Sequence, residues 1–590
     1  MIEGDKNRHA SSPESHQIGP PWLTVETGLY VLLILVAALL RFYGLGKQPL
    51  DEREARLALD VWRFYTGGAA SIRGHSPLLF NSNALLYLLF GASDFVARVL
   101  PALVGTLMVG LPHLVRGHLG KRGALVTAAI LAISPSFVFF SRQLSGDIVV
   151  ATSLLALVAG LFGYLRLKKV SHLYLSAGAL AVAFVAGGAA YATLLALGGF
   201  FLGVTLYSRY RDGDAPLPEA WNPPPTAPRA WMITGGVFGA VLLAAATGLF
   251  VNLHGLQATL DLPATWLGQF SPLIGRQPWH YYLSLLVGYA PLVFIFGLAG
   301  AVYLPRKDLF SALLVCWFGV TFVLYSLMGT KPPSGILQMI LPLTLLAGRI
   351  IGDLLTKVGE GEQWVWDRLA LLVSIPVIFH MILQMSAFAN PQNPGEPTRL
   401  IVVLLSLFLL VSVVLITGTL AQDWRGIIRT GGLLILLILG SLMVQTTWRL
   451  NHHGRGNPLE LLVERPTSSD VRNLVGTIED FSNQQEGDRH SVDITVHGGQ
   501  DDILAWYLRD FGDLVFTSGS ESSPTPVVIT PLAEPLTLPG YRGARFRIQS
   551  AWHPEDLPGH ELMNWYLFRE TLSRPTYSDV VIWAAVGPEE

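Results

Sequence analysis

Apolar runs of about twenty residues recur along this chain, and each is long enough to cross the hydrocarbon core of a bilayer. The first is Leu23 to Gly44. We place further spans near 95–115, 123–140, 148–166, 173–187, 190–207, 230–251, 282–304, 309–328, 335–355, 368–387, 399–419 and 430–447. Gly187-Gly188 is the break between the two short spans at 173–207. Composition agrees with this pattern. Charged residues make up 14% of the chain and hydrophobic ones 51%, where a soluble domain carries about 25% charged. A membrane β-barrel would show short alternating segments instead. The expected fold class is a polytopic α-helical membrane protein of about 13 spans, with a small α/β domain after the last one.

Thirteen spans put the two termini on opposite sides. Basic residues set the orientation, because cytoplasmic loops concentrate Lys and Arg. One set of alternate loops carries Arg116, Lys121 and Arg122, then Arg166, Lys168 and Lys169, then Arg209 and Arg211, then Arg306 and Lys307. The expectation is an integral protein of the plasma membrane, N-terminus cytoplasmic. The domain reading is a cytoplasmic tail at 1–22, a membrane domain at 23–448 with its first loop at 45–94, and an extracytoplasmic α/β domain at 449–590. The net charge of −2 conceals a basic membrane part, at +8, and an acidic last domain, at −10. The tail 1–20 lacks a signal-peptide pattern, so the first run is expected to be retained. Cys316 is the single cysteine, which excludes a disulfide framework. The Pro-rich stretch 215–228 reads as a cytoplasmic linker.

The last domain alternates helix and strand. Helices are expected at 471–481, 501–511 and 561–570, and strands at 492–496, 513–517, 527–530, 544–548 and 580–586. Its aromatics Trp506, Tyr507, Trp552, Trp565 and Tyr566 are read as core or domain-interface residues in preference to a sugar platform.

Four polar places fall on the same predicted side of the membrane. Asp51-Glu52 follows the first span directly and opens an amphipathic helix. Ala55, Ala58, Leu59, Val61, Trp62 and Tyr65 form its apolar face, and Arg53, Glu54, Arg56, Asp60 and Arg63 its polar one. Two acids there also suit a plain helix cap. His75-Ser76-Pro77-Leu78 lies in the same loop and could be a simple Pro turn. Arg142 and Asp147 lie in the short link between two spans, where Asp147 could only cap a helix. Lys331 precedes Pro332-Pro333-Ser334 between two later spans. If these loops converge, a carboxylate could act as general base on an acceptor hydroxyl. Arg142, Lys331 or His75 could then bind a phosphate leaving group.

These residues, in this order, resemble the GT-C superfamily of membrane glycosyltransferases. The likeness is to the protein O-mannosyltransferase and aminoarabinose transferase group, and within it to a flippase-associated, Agl-type branch. Asp51-Glu52 matches the acidic opening of the first loop. His75-Ser76-Pro77-Leu78 resembles a His-Pro-Pro-Leu or Lys-Pro-Pro-Leu motif. Phe90-Gly91 with Arg98-Val99-Leu100-Pro101 resembles the entry to the second span, and Ser141-Arg142 with Asp147 the second acidic motif. The resemblance implies an inverting transferase using a polyprenyl-phosphate sugar, with a protein, lipid or glycan acceptor and no nucleic acid. It makes Asp51 the base, Glu52 its helper and Asp147 the second acid, and His75, Arg142 and Lys331 the donor-phosphate ligands. It leaves metal open: a divalent ion is admitted, though no dense ligand cluster marks one. A non-catalytic flippase-associated or scaffolding subunit is the alternative. A transporter is disfavoured, since the ionisable residues sit in loops and at span ends.

Overall fold

The structure is a computed structural model that describes residues 24–211, 228–271, 277–305, 308–357, 364–388, 397–420, 424–454, 456–518, 525–532, 540–552, 565, 569 and 571–585. Among these residues, eight helices are long and apolar enough to cross a membrane, or up to ten if each of two bent pairs is one span. Shorter apolar helices add Pro77–Phe90, Val170–Ala186, Leu372–Met381 and Ile401–Ile416. Each of the thirteen expected runs has a helical counterpart. The span expected at 123–140 is bent by 55° between Lys121–Ile133 and Pro135–Ser141. The one expected at 282–304 turns by 108° between Tyr281–Tyr289 and Pro291–Tyr303. Both breaks fall immediately before a proline, which cannot donate the helical hydrogen bond and displaces the residue ahead of it from helical geometry. The tail 1–22, the linker except Pro228, and most of the helix expected at 561–570 lie outside the described residues.

The first span is α1 (Val25–Phe42), and the loop after it folds into α2 (Glu52–Tyr65) and α3 (Pro77–Phe90). The last domain is a five-stranded sheet of β1 (Ile494–His497), β2 (Leu514–Thr517), β3 (Val527–Pro531), β4 (Tyr541–Ala551) and β5 (Thr576–Ala585). Its order is β2-β1-β3-β5-β4; β1 is parallel to both neighbours, and β5 runs antiparallel to β3 and β4. Helices Asp470–Glu486 and Asp502–Tyr507 pack with it.

Among the described residues two large cores divide the molecule, beside a small cluster of Ile378, Leu410 and Leu434. One lies inside the helical bundle. The other unites Leu50, Ala55, Ala58 and Val61 of the first loop with Val471, Ile503 and Trp506 of the last domain. The last domain is therefore fused to the first loop through a continuous apolar interior. Trp506 and Trp565 are fully buried and Trp552 nearly so, as core or interface residues should be.

Candidate active site at the first loop

Asp51 is the N-cap of α2. Its Oδ1 accepts the Glu54 N–H at 2.9 Å, and Glu54 Oε2 accepts the Asp51 N–H at 3.1 Å, a reciprocal capping box. The sequence Asp51-Glu52-Arg53-Glu54 dictates this locally, with an acid at the cap and another three residues on. Glu54 does more. The periodicity puts it on the polar face, yet it is 4% exposed. Arg98 explains the burial. Its Nε donates to Glu54 Oε1 at 2.8 Å and its Nη2 to Oε2. The same guanidinium donates to the carbonyls of Gln48 at 2.7 Å, Pro49 at 3.1 Å and Leu45 at 3.3 Å. The Leu144 N–H donates to Glu54 Oε1 at 2.6 Å, which brings the Ser141–Asp147 turn against the start of α2.

Arg142 lies across the end of α1. Its Nη1 donates to the carbonyls of Leu40, Arg41 and Tyr43 at 2.9, 2.7 and 3.1 Å, satisfying groups a helix C-terminus leaves without partners. Asp147 begins the helix Asp147–Leu167 and is half-buried, with Ser145 and Ser334 as polar neighbours. Gly146 before it is required by contact. A Cβ there would meet the Ala186 carbonyl oxygen at 1.9 Å and Ser76 Cβ at 3.6 Å. This close approach seats the His75-Ser76 turn beside Asp147, where Ser76 Oγ also donates to the Val185 carbonyl at 3.1 Å. His75 Nε2 lies 2.9 Å from Asp60 Oδ2. Lys331 is buried, and its Nζ donates to the carbonyls of Gln277, at 3.0 Å, and Met328. Burial lowers the affinity of this amine for its proton. Tyr282 donates to the Pro332 carbonyl at 2.8 Å, and Asp147 and Glu464 both lie within electrostatic reach of it.

The loops carrying Asp51, Glu52, His75, Arg142, Asp147 and Lys331 thus meet at one end of the bundle. Arg53 acts electrostatically on Asp51 and on Asp147. His75, Arg142 and Lys331 are each engaged with protein groups. Two other cations stand open at the rim. Arg53 has a 72% exposed side chain and pairs with Glu464 at 2.8 Å. Arg465 is 65% exposed and lies 4.0 Å from Glu52. Glu52-Arg53 and Glu464-Arg465 therefore face each other in crossed pairs. The segment leading into the last domain crosses the mouth of the site. Sequence reasoning missed Glu54, Arg53 and Arg465. The Asp-x-x-Glu spacing signalled the first, whereas nothing local marks Arg465.

Behind Asp51 is a cavity of about 70 Å³, room for several waters, whose wall includes Gln48, Glu54, Arg98, Arg142 and Asn451. Burial, and then the neighbouring Glu54 carboxylate, push the Asp51 carboxyl up to about 7, against the pull of Arg98 and Arg53. A carboxylate so tuned can take a proton near neutral pH. Among the described residues, no group of three or more His, Cys, Asp or Glu is arranged to hold a metal ion.

Residues 74–210 match the family model of dolichyl-phosphate-mannose-protein mannosyltransferases. A stretch of 131 residues is 32% identical to undecaprenyl phosphate-alpha-4-amino-4-deoxy-L-arabinose arabinosyl transferase 1 of Pseudomonas fluorescens. That stretch covers 21% of this chain and 23% of the relative, so the chain spans less than a quarter of that relative's length. The fold match is far longer. ArnT from Cupriavidus metallidurans bound to undecaprenyl phosphate superposes with a TM-score of 0.55 at 15% identity, over 95% of this chain and 100% of that one. Its apo form gives 0.54 at 15% identity, over 96% and 100%. The chain therefore shares the fold of ArnT along nearly its whole length.

Proposed function

We propose that this protein is an inverting glycosyltransferase that moves a sugar from a polyprenyl-phosphate donor to a protein, lipid or glycan acceptor on the extracytoplasmic side of the plasma membrane. Asp51 is the general base, Glu52 orients the acceptor, and Asp147 is the second acid. The acceptor oxygen attacks the anomeric carbon as the carbon–oxygen bond to phosphate breaks. Asp51 takes the hydroxyl proton, and the lipid phosphate leaves as an anion. The observation that carries this reading is the capped, half-buried Asp51 with its carboxyl raised to about 7, beside the turn that holds Asp147. The mannosyltransferase match at 74–210 and the fold shared with a protein bound to undecaprenyl phosphate support the donor class. The distribution of Lys and Arg supports the side.

The donor phosphate, on this reading, is met first by Arg53 and Arg465. Both guanidiniums are exposed at the rim, and each can exchange its carboxylate partner for a phosphate oxygen. Lys331, Arg142 and His75 stay in the proposal as a second rank of positive charge behind them. Purified protein given undecaprenyl-phosphate sugars and candidate acceptors should release free lipid phosphate. No release with any donor would favour the accessory reading. Arg53→Gln and Arg465→Gln should each raise the donor KM on the order of 10-fold while kcat changes less, since a charge-assisted hydrogen bond contributes about 1.5–3 kcal/mol. An unchanged KM in both variants would remove them from the phosphate site.

The same assay has an expected pH dependence. Asp51 must be ionised to accept a proton. Its pKa is raised from the ordinary 3.8 to about 7, so kcat/KM should fall about tenfold per unit below pH 7. A carboxylate of ordinary acidity would hold the rate flat down to about pH 4. A flat profile between pH 5 and 7 would exclude Asp51 as the titrating base.

A further inference from the structure

The strand of chain entering Asp51 has no regular secondary structure, so its backbone groups need partners from elsewhere. Every carbonyl from Leu45 to Leu50 accepts a hydrogen bond from a side chain. Arg98, in the bundle, takes those of Leu45, Gln48 and Pro49. The last domain takes the others. Arg472 donates to the Gly46 and Lys47 carbonyls at 2.7 and 2.9 Å. Thr467 Oγ1 donates to the Leu50 carbonyl at 2.7 Å. Leu50 is held on its other side too, its N–H donating to Tyr507 Oη at 2.9 Å. Both backbone groups of the residue before Asp51 are therefore gripped by the last domain, and the Leu50 side chain is fully buried.

The grip is itself anchored. Tyr507 Oη donates to Asp94 Oδ2 at 2.8 Å, Trp506 Nε1 to Asp94 Oδ1 at 2.9 Å, and Arg472 Nη2 to Asp94 Oδ2 at 2.7 Å. Asp94 lies four residues before Arg98, so the last domain also fixes the turn that carries the Glu54 partner. Burial and the Asp94 charge raise the Tyr507 phenol well above its usual range, which keeps it neutral and able both to donate and to accept.

We infer that the last domain is part of the catalytic apparatus: Tyr507 and Thr467 are positioning residues that hold the backbone of Leu50 and thereby the Asp51 carboxylate. This rests on the reading of Asp51 as the base. Misplacing a reacting group by about 1 Å costs on the order of 10²-fold in rate, and a loop of irregular backbone needs such a frame.

The test uses the full chain. Tyr507→Phe and Thr467→Val, singly and together, should lower kcat for lipid-phosphate release, by about 10-fold or more in the double variant, with donor KM within about twofold. Thr467→Ser keeps the hydroxyl and should restore kcat. Arg545→Gln removes an ion pair to Asp579 within the sheet, without touching Leu50 or Asp94, and should leave kcat unchanged. Amide exchange over residues 46–53 should quicken in the double variant while exchange over β1 and β3 stays slow. If the double variant misfolds, Tyr507→Phe alone, which keeps the ring, decides. Unchanged kcat despite faster exchange, unchanged exchange, or an equal loss in Arg545→Gln would overturn the inference. A wild-type protein that releases no lipid phosphate fails at the earlier step, and the positioning role falls with it.

Discussion

Asp51→Asn should slow release of lipid phosphate on the order of 10²-fold or more, with donor KM little changed. The substitution suits the question because the amide is nearly the size of the carboxylate. Asn is also as good an N-cap as Asp, so the amide oxygen of the variant side chain can still accept the Glu54 N–H and α2 should remain in place. What is lost is the ability to take a proton. The capping role and the proposed catalytic role of Asp51 are thereby separated: a residue needed only as a cap tolerates the change, and a base does not. Glu52→Gln should cost less, since Glu52 is farther out and paired at the rim with Arg465 and Arg56. Turnover in Asp51→Asn equal to wild type would end the base assignment. Turnover reduced equally in Asp51→Asn and Glu52→Gln would point to a shared charge requirement in place of one base.

The sequence made some of this architecture legible because the relevant signals are local. Span length, the helix cap at Asp51 and the strand alternation of the last domain each depend on neighbours within a few residues. The breaks before Pro135 and Pro291 were equally local, but a hydropathy window averages across them. The cations were harder. Arg142, Lys331 and His75 sit in polar loops at the same end of the bundle, and nothing in sequence says that their charge is directed at the α1 carbonyls, the Gln277 and Met328 carbonyls and Asp60. That depends on which backbone groups tertiary packing leaves without partners. Arg465 was invisible for the same reason, since it reaches the mouth only because the segment before the last domain crosses it. Glu54 was misassigned to the polar face because periodicity cannot foresee a buried guanidinium contributed from 44 residues away.

Arg98→Met should be the most destabilising single change at the site. The guanidinium is 3% exposed and satisfies both Glu54 oxygens as well as three loop carbonyls. Removing it leaves Glu54 as a buried carboxylate without its countercharge. Breaking a buried pair from one side costs about 3–5 kcal/mol, whereas replacing both partners by neutral groups is often close to neutral. The expected result is a clearly lowered thermal transition in detergent for Arg98→Met and for Glu54→Gln, and substantial recovery in the double variant. Activity should not recover with it. The double variant still lacks the fork that holds the Gln48 and Pro49 carbonyls, and the carboxylate that receives the Leu144 N–H. It also lacks both the Glu54 charge that raises the Asp51 carboxyl and the weaker opposing pull of Arg98, a net downward shift, so any residual activity should extend to lower pH than in wild type. Three readouts thus move apart: stability returns, kcat stays low, and the acid limb of the pH profile shifts downward. If kcat returns together with the thermal transition, the pair serves folding alone, and Asp51 is held by its cap and by Leu50 without it.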